Sequence, residues 1–312
     1  MYRISPAVST AYLMIGFTAV LLAEELLFPV STFSVLTSLI GIGVLIFFLN
    51  YTEFGADKLG IAADRQDIPY DLRRAALICC GSIAAVVLLE QLIYSLLGKP
   101  GLFVKAGYDL GYFVLPNACV QEGGLLSFLQ WALLGLLISA IRALFFEVGF
   151  RGFCLHLNAE EQGYETGNLR QSICFTVLAC IPMIIRLIQN LRTKELVAYS
   201  IPIALLAFLS VALGMFLLAY RQGLLRYATG SVWICVFSFF FFDYFNNFFH
   251  AYRNSPVGMA LYADIFRFLL IQLAATGITA LYLRRLKKNA QPVDPTQFTR
   301  EPPHIHDDLM DP

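Results

Sequence analysis

Glu147 and Arg151 stand four residues apart in FFEVGFRGF, the stretch Phe145–Phe153 that closes a long apolar run. On a helix this spacing puts both side chains on one face, within reach of each other. A carboxylate held in such surroundings can take a proton from water, given donors that stabilise the resulting oxyanion. The plainer reading is an ion pair that fixes packing at a helix end, with Gly152 letting another helix approach closely.

A second group lies downstream. Asp243, Asn246, Asn247, His250 and Asn254 recur at helical spacing and make one polar stripe. Such a stripe can bind a ligand, an ion or a partner; it can also simply hydrogen-bond neighbouring helices together. The chain has four histidines, and His304 and His306 fall in the C-terminal tail. His156 lies beyond Arg151, toward the rim. Cysteines 79, 80, 174, 180 and 235 fall in apolar runs, where a thiol behaves as a small hydrophobe; Cys154 lies just past one and Cys119 in a polar loop. No metal-ligand spacing, phosphate loop or nucleotide fingerprint occurs, so no cofactor and no metal are expected. The paired acids Glu24 and Glu25 of EELLFP sit at a helix end and read as solvated.

These residues are carried by an unusually apolar chain. Of its 312 residues, 58% are hydrophobic and 14% charged, with a mean hydropathy of +0.67, which excludes an ordinary soluble domain. Windows of about 20 apolar residues match the ~30 Å hydrocarbon layer. The expected fold is all-α: a polytopic membrane bundle of about eight helices, near 8–27, 31–50, 75–97, 125–147, 172–190, 200–220, 231–250 and 261–283. The bundle occupies 1–289, and the polar, proline-rich tail 290–312 is expected to be disordered. The N-terminal run is too long for a cleaved signal and reads as a retained helix. Placing the N-terminus in the cytoplasm puts fourteen lysines and arginines on that side and five opposite, so both termini are expected there. Arg142, Arg186 and Arg267 remain inside spans, where they either snorkel or, like Glu90, Glu147 and Asp243, face a partner or a wet cavity. The net charge of zero leaves no basic surface for nucleic acid.

FEVGFRGF resembles the first motif, E-E-x-x-F-R-G-F, of the CAAX-processing and bacteriocin-processing family of glutamate-dependent intramembrane endopeptidases. Glu147 matches the second glutamate, and Phe150, Arg151, Gly152 and Phe153 match the rest. RYATGSVW, Arg226–Trp233, resembles the family's R-T-G-S-L-W entry to its third motif helix. The resemblance covers roughly residues 126–249 and implies a bundle of about eight helices with its site toward the cytoplasm. Family members use the first glutamate to activate water, and histidines in F-x-x-x-H and H-x-x-x-N/D to orient it and stabilise the oxyanion. This chain departs at each of those positions. Phe146 replaces the first glutamate. With Leu178-x-x-x-Pro182 as the second motif, Pro182 replaces one histidine, and Phe239 replaces the other. Asp243 keeps the last position. HAYRN, His250–Asn254, fits the third motif by letter only, because it lies eleven residues past Phe239, roughly 16 Å along a helix.

The resemblance therefore implies a degenerate member of the family with no intact catalytic set, acting as a scaffold or partner-binding protein in the lipid bilayer. The expected setting is a bacterial plasma membrane, and the expected partner a membrane or cell-envelope protein. Two alternatives stand beside it: an active protease with rearranged residues, and a transporter or channel built on the Asp243–His250 stripe.

Overall fold

The computed structural model describes residues 67–96, 118–192, 201–247 and 257–289, with 39–43, 59–61 and a few isolated positions in the first fifty residues. Some side chains within the helices, among them those of Glu90, Pro182, Arg186, Asn246 and Asn247, lie outside the described set. So do His250, Asn254, the tail, and most of the first two expected helices.

The described residues form helices and no strand. In chain order these are α1 (Asp67–Leu96), α2 (Ala118–Glu147), a π-helical segment (Val148–Cys154), α3 (Leu155–Gln162), α4 (Tyr164–Arg192), α5 (Ile201–Thr229), α6 (Trp233–Asn247) and α7 (Val257–Asn289). Pro69 and Pro202 fall in the first turns of α1 and α5, where a missing N–H costs nothing. Pro182 falls mid-helix, and α4 runs through it. Among the described helices four stretches are long and apolar enough to cross a membrane: Asp67–Leu89, Leu133–Gln162, Ala204–Thr229 and Arg267–Leu286. Trp233–Phe245 is a shorter apolar helix.

The burial pattern is that of an integral membrane protein. Leu77, Leu88 and Leu92 on α1 and Leu205, Leu209 and Leu213 on α5 face outward, while Glu147, Arg151, Arg221, Gln222 and Gln272 are buried. Water would favour the reverse; hydrocarbon favours apolar residues outside and paired polar groups within.

α6 packs on α1 and α2, α5 on α4 and α7, and α1 on α7, while the π segment reaches α3, α4 and α5. The polar seam between α4 and α5 is a ladder. Asn168 Nδ2 donates to the Tyr220 carbonyl at 3.1 Å, Gln171 Nε2 to the Ala219 carbonyl at 3.2 Å, and the Tyr164 hydroxyl to the Gly223 carbonyl. Gly223 is the residue that permits this approach: a Cβ there would stand 1.8 Å from Asn168 Oδ1.

The turn from α5 to α6 follows from ATGS. The Gly230 N–H returns to the Arg226 carbonyl at 2.9 Å with φ at +68°, a conformation that stops a helix and suits glycine. Ser231 then caps α6, its Oγ accepting from the Trp233 N–H at 3.1 Å.

Candidate functional site

The residues of FFEVGFRGF lie where α2 gives way to the π segment. Val148–Cys154 is buried throughout, and the Leu155 N–H closes on the Phe150 carbonyl five residues back. Such widened turns are rare in helices and frequent at functional sites. Glu147 and Arg151 are both fully buried and share a face, with Arg151 Nη1 3.2 Å from Glu147 Oε1.

Gly152 does let a neighbour approach, but the neighbour is a turn rather than a helix. A Cβ on Gly152 would stand 3.4 Å from the Leu59 carbonyl oxygen. The turn is tied to the start of α6: the Val232 N–H donates to the Gly60 carbonyl at 3.1 Å, and Trp233 Nε1 to the Ile61 carbonyl at 3.1 Å. Leu59 is itself buried. Segments from three parts of the chain thus close one end of the bundle.

Beside the ion pair lies a group of aromatic rings. Phe146 is 5.7 Å from Phe239 and 5.7 Å from Phe175, centroid to centroid, and Phe150 is 5.3 Å from Phe175. Two of the positions singled out in the sequence, 146 and 239, meet here. The residue that α4 contributes is Phe175, seven residues before Pro182. The Arg151 guanidinium lies over the Phe175 ring, 4.4 Å from its centroid. A phenyl ring offers neither a base nor a hydrogen-bond donor, so Phe146, Phe175 and Phe239 themselves can neither activate water nor stabilise an oxyanion.

Asp243 is engaged elsewhere. Its Oδ2 accepts from the Ser139 hydroxyl at 2.8 Å and its Oδ1 lies 3.5 Å from Arg142 Nη1. Arg142 is thus partnered within the bundle, and Asp243 joins α6 to α2 one turn beyond Phe239.

Arg221 is the functional candidate that sequence reasoning missed. The orientation count takes it, like Arg226, as one of the fourteen basic residues on the cytoplasmic side; the structure places it inside α5, fully buried, its guanidinium 4.6 Å from the centroid of Phe242. It acts electrostatically on Glu147. The available signal was its register, three residues after Leu218 and four before Leu225, both of which are buried. Arg151 leaves the exposed set for the same reason. Setting both aside leaves twelve basic residues against five, so the orientation bias keeps its sign.

The chain matches no protein-family model, no curated protein and no solved structure. Among the described residues no group of His, Cys, Asp and Glu is fit to hold a metal, and the six described cysteines are free thiols.

Proposed function

We propose that the chain is a catalytically degenerate relative of the CAAX-type intramembrane endopeptidases, one that holds a membrane or cell-envelope partner rather than cutting it. In this reading the bundle has about eight spanning helices, lies in a bacterial plasma membrane and keeps both termini in the cytoplasm. The observation that carries it is the meeting of Phe146 and Phe239 beside the Glu147–Arg151 pair. These are the positions at which the family motif has its water-activating glutamate and a histidine. Their proximity is what a shared site geometry would require, and their chemistry is what a loss of catalysis would leave. The place of Phe175 favours a second-motif register of Phe175-x-x-x-Ala179 over one ending at Pro182; either leaves the histidine position without a donor.

The transport reading gains nothing from Asp243, whose carboxylate is already bonded to Ser139 and Arg142. The test of the favoured reading is a cleavage assay on the purified chain with prenylated CAAX peptides and generic membrane peptides, beside a Glu147→Ala control. No turnover is expected in either. Turnover that disappears in the control would overturn the reading.

A further inference from the structure

Arg151 and Arg221 present an imbalance that the proteolytic motif does not explain. Both are fully buried; Glu147 lies 3.2 Å from Arg151 and is the described carboxylate that interacts electrostatically with Arg221. Among the described titratable groups, those that act on Arg221 are Glu147, Arg151 and the thiols Cys79 and Cys235, so Glu147 supplies its one negative charge. The cluster therefore carries a surplus of one positive charge. Protonating Glu147 would only raise the surplus, so the ionisation of that residue does not restore balance.

Hydrogen bonding tells the same story. All three nitrogens of each arginine are buried and make no hydrogen bond among the described residues. Aromatic rings cover the guanidinium faces, Phe175 over Arg151 and Phe242 over Arg221. A stacked guanidinium still carries its donors in its own plane, five per arginine, against about four acceptor sites on a single carboxylate. A buried, unmatched charge costs several kcal/mol. What two such forks match is a group with one negative charge and two or more acceptor oxygens.

We propose that Arg151 and Arg221 form a binding site for a singly charged oxyanion, presented either by the phosphodiester of an anionic lipid or by a small free anion. This inference does not rest on the protease resemblance; it follows from charge, burial and donors alone.

The test uses the full chain in lipid-free detergent at pH 6, at constant ionic strength in chloride. Thermal unfolding is followed as formate or dihydrogen phosphate replaces chloride. In parallel, nanodiscs of phosphatidylcholine are compared with nanodiscs containing phosphatidylglycerol. A saturable rise in Tm with the soluble ions assigns a free anion, and a rise confined to phosphatidylglycerol assigns the lipid. Either rise should vanish in Arg221→Gln and persist in part in Arg221→Lys. Glu147→Gln carries the test should Arg221→Gln fail to fold. It removes the competing carboxylate, so half-saturation should fall at least about tenfold in anion concentration, the scale of one nearby charge. No saturable rise from either source, an undiminished rise in Arg221→Gln, or weaker binding in Glu147→Gln would each overturn the proposal.

Discussion

The ring of Phe146 stands 5.7 Å from that of Phe239, a residue ninety-three positions further along the chain. Phe175 closes the group at 5.7 Å from Phe146 and 6.2 Å from Phe239, so three helical segments meet through their rings. Aromatic contacts of this kind add about 0.5–1.5 kcal/mol each beyond the area they bury.

Phe146→Glu should therefore destabilise the bundle without giving it activity. The substitution removes the ring contacts to Phe175 and Phe239 on the neighbouring helices, with those to Phe145 and Phe150, and puts a carboxylate among apolar rings, where an unpaired polar group costs about 1–3 kcal/mol or more. The cleavage assay should remain blank, because the two histidine positions of the motif are still without the groups that orient the water. Phe146→Leu, which keeps the volume apolar, should lose less than half as much stability. Thermal melts in detergent would rank the two variants, and equal losses would count against a dry aromatic cluster.

Much of this was legible in the sequence, for identifiable reasons. α1, α2, α4, α5, α6 and α7 overlap the expected spans because each contains an apolar run, whereas the short polar α3 was not among them. The Glu147–Arg151 pair was readable from an i, i+4 spacing that survives even in a π turn. Gly230 and Ser231 marked the α5–α6 turn by residue type alone. Arg221 was not legible as a buried residue because counting charges near a span end treats each basic residue as solvated. Asp243 was read within a stripe along its own helix, whereas its partners Ser139 and Arg142 lie on another, and no local pattern reports a contact across about a hundred residues. The turn at 59–61 was likewise invisible, since its role comes from resting on Gly152.

The link between Asp243 and α2 should be weaker than its burial suggests. Arg142 keeps 28% of its side chain exposed, so it can reach solvent when its partner is removed. Asp243→Ala should cost about 1–2 kcal/mol, chiefly through the lost bond to Ser139. Arg142→Ala should cost less than Asp243→Ala, because Ser139 still serves the carboxylate. Melting temperatures of the two variants would decide; the reverse order would mean that the ion pair, not the hydroxyl, holds α6 to α2.

Gly223 and Gly81 make a matched pair for testing the α4–α5 seam. A methyl group at 223 would meet Asn168 Oδ1 at 1.8 Å and Cγ at 2.4 Å. Asn168 is short and tied to Tyr220 and Gln171, so it cannot move aside without breaking the ladder. Gly223→Ala should cost about 1–3 kcal/mol, the range for overpacking. At Gly81 the nearest atom is Ile278 Cδ1 at 3.7 Å, an ordinary contact. Gly81→Ala should be neutral or slightly stabilising, because alanine favours the helix. Chemical denaturation of both variants would check the contrast, and a neutral Gly223→Ala would mean that the ladder is dispensable.

The strongest coupling in the molecule should be that between Glu147 and Arg151. Their contact is 3.2 Å with neither side chain exposed, so neither can reach water when the other is removed. Removing one partner of such a pair typically costs about 3–5 kcal/mol, because a buried charge is left behind. Arg151→Ala should fall in that range. Glu147→Ala should cost at least as much, since it leaves two buried arginines with no carboxylate contact among the described residues. The double variant should be less damaged than the sum of the singles, because it removes the attraction and one of the stranded charges together. A double-mutant cycle read by thermal unfolding measures the difference. If the two losses simply add, the pair is solvated in the membrane-bound protein rather than buried as its exposure indicates.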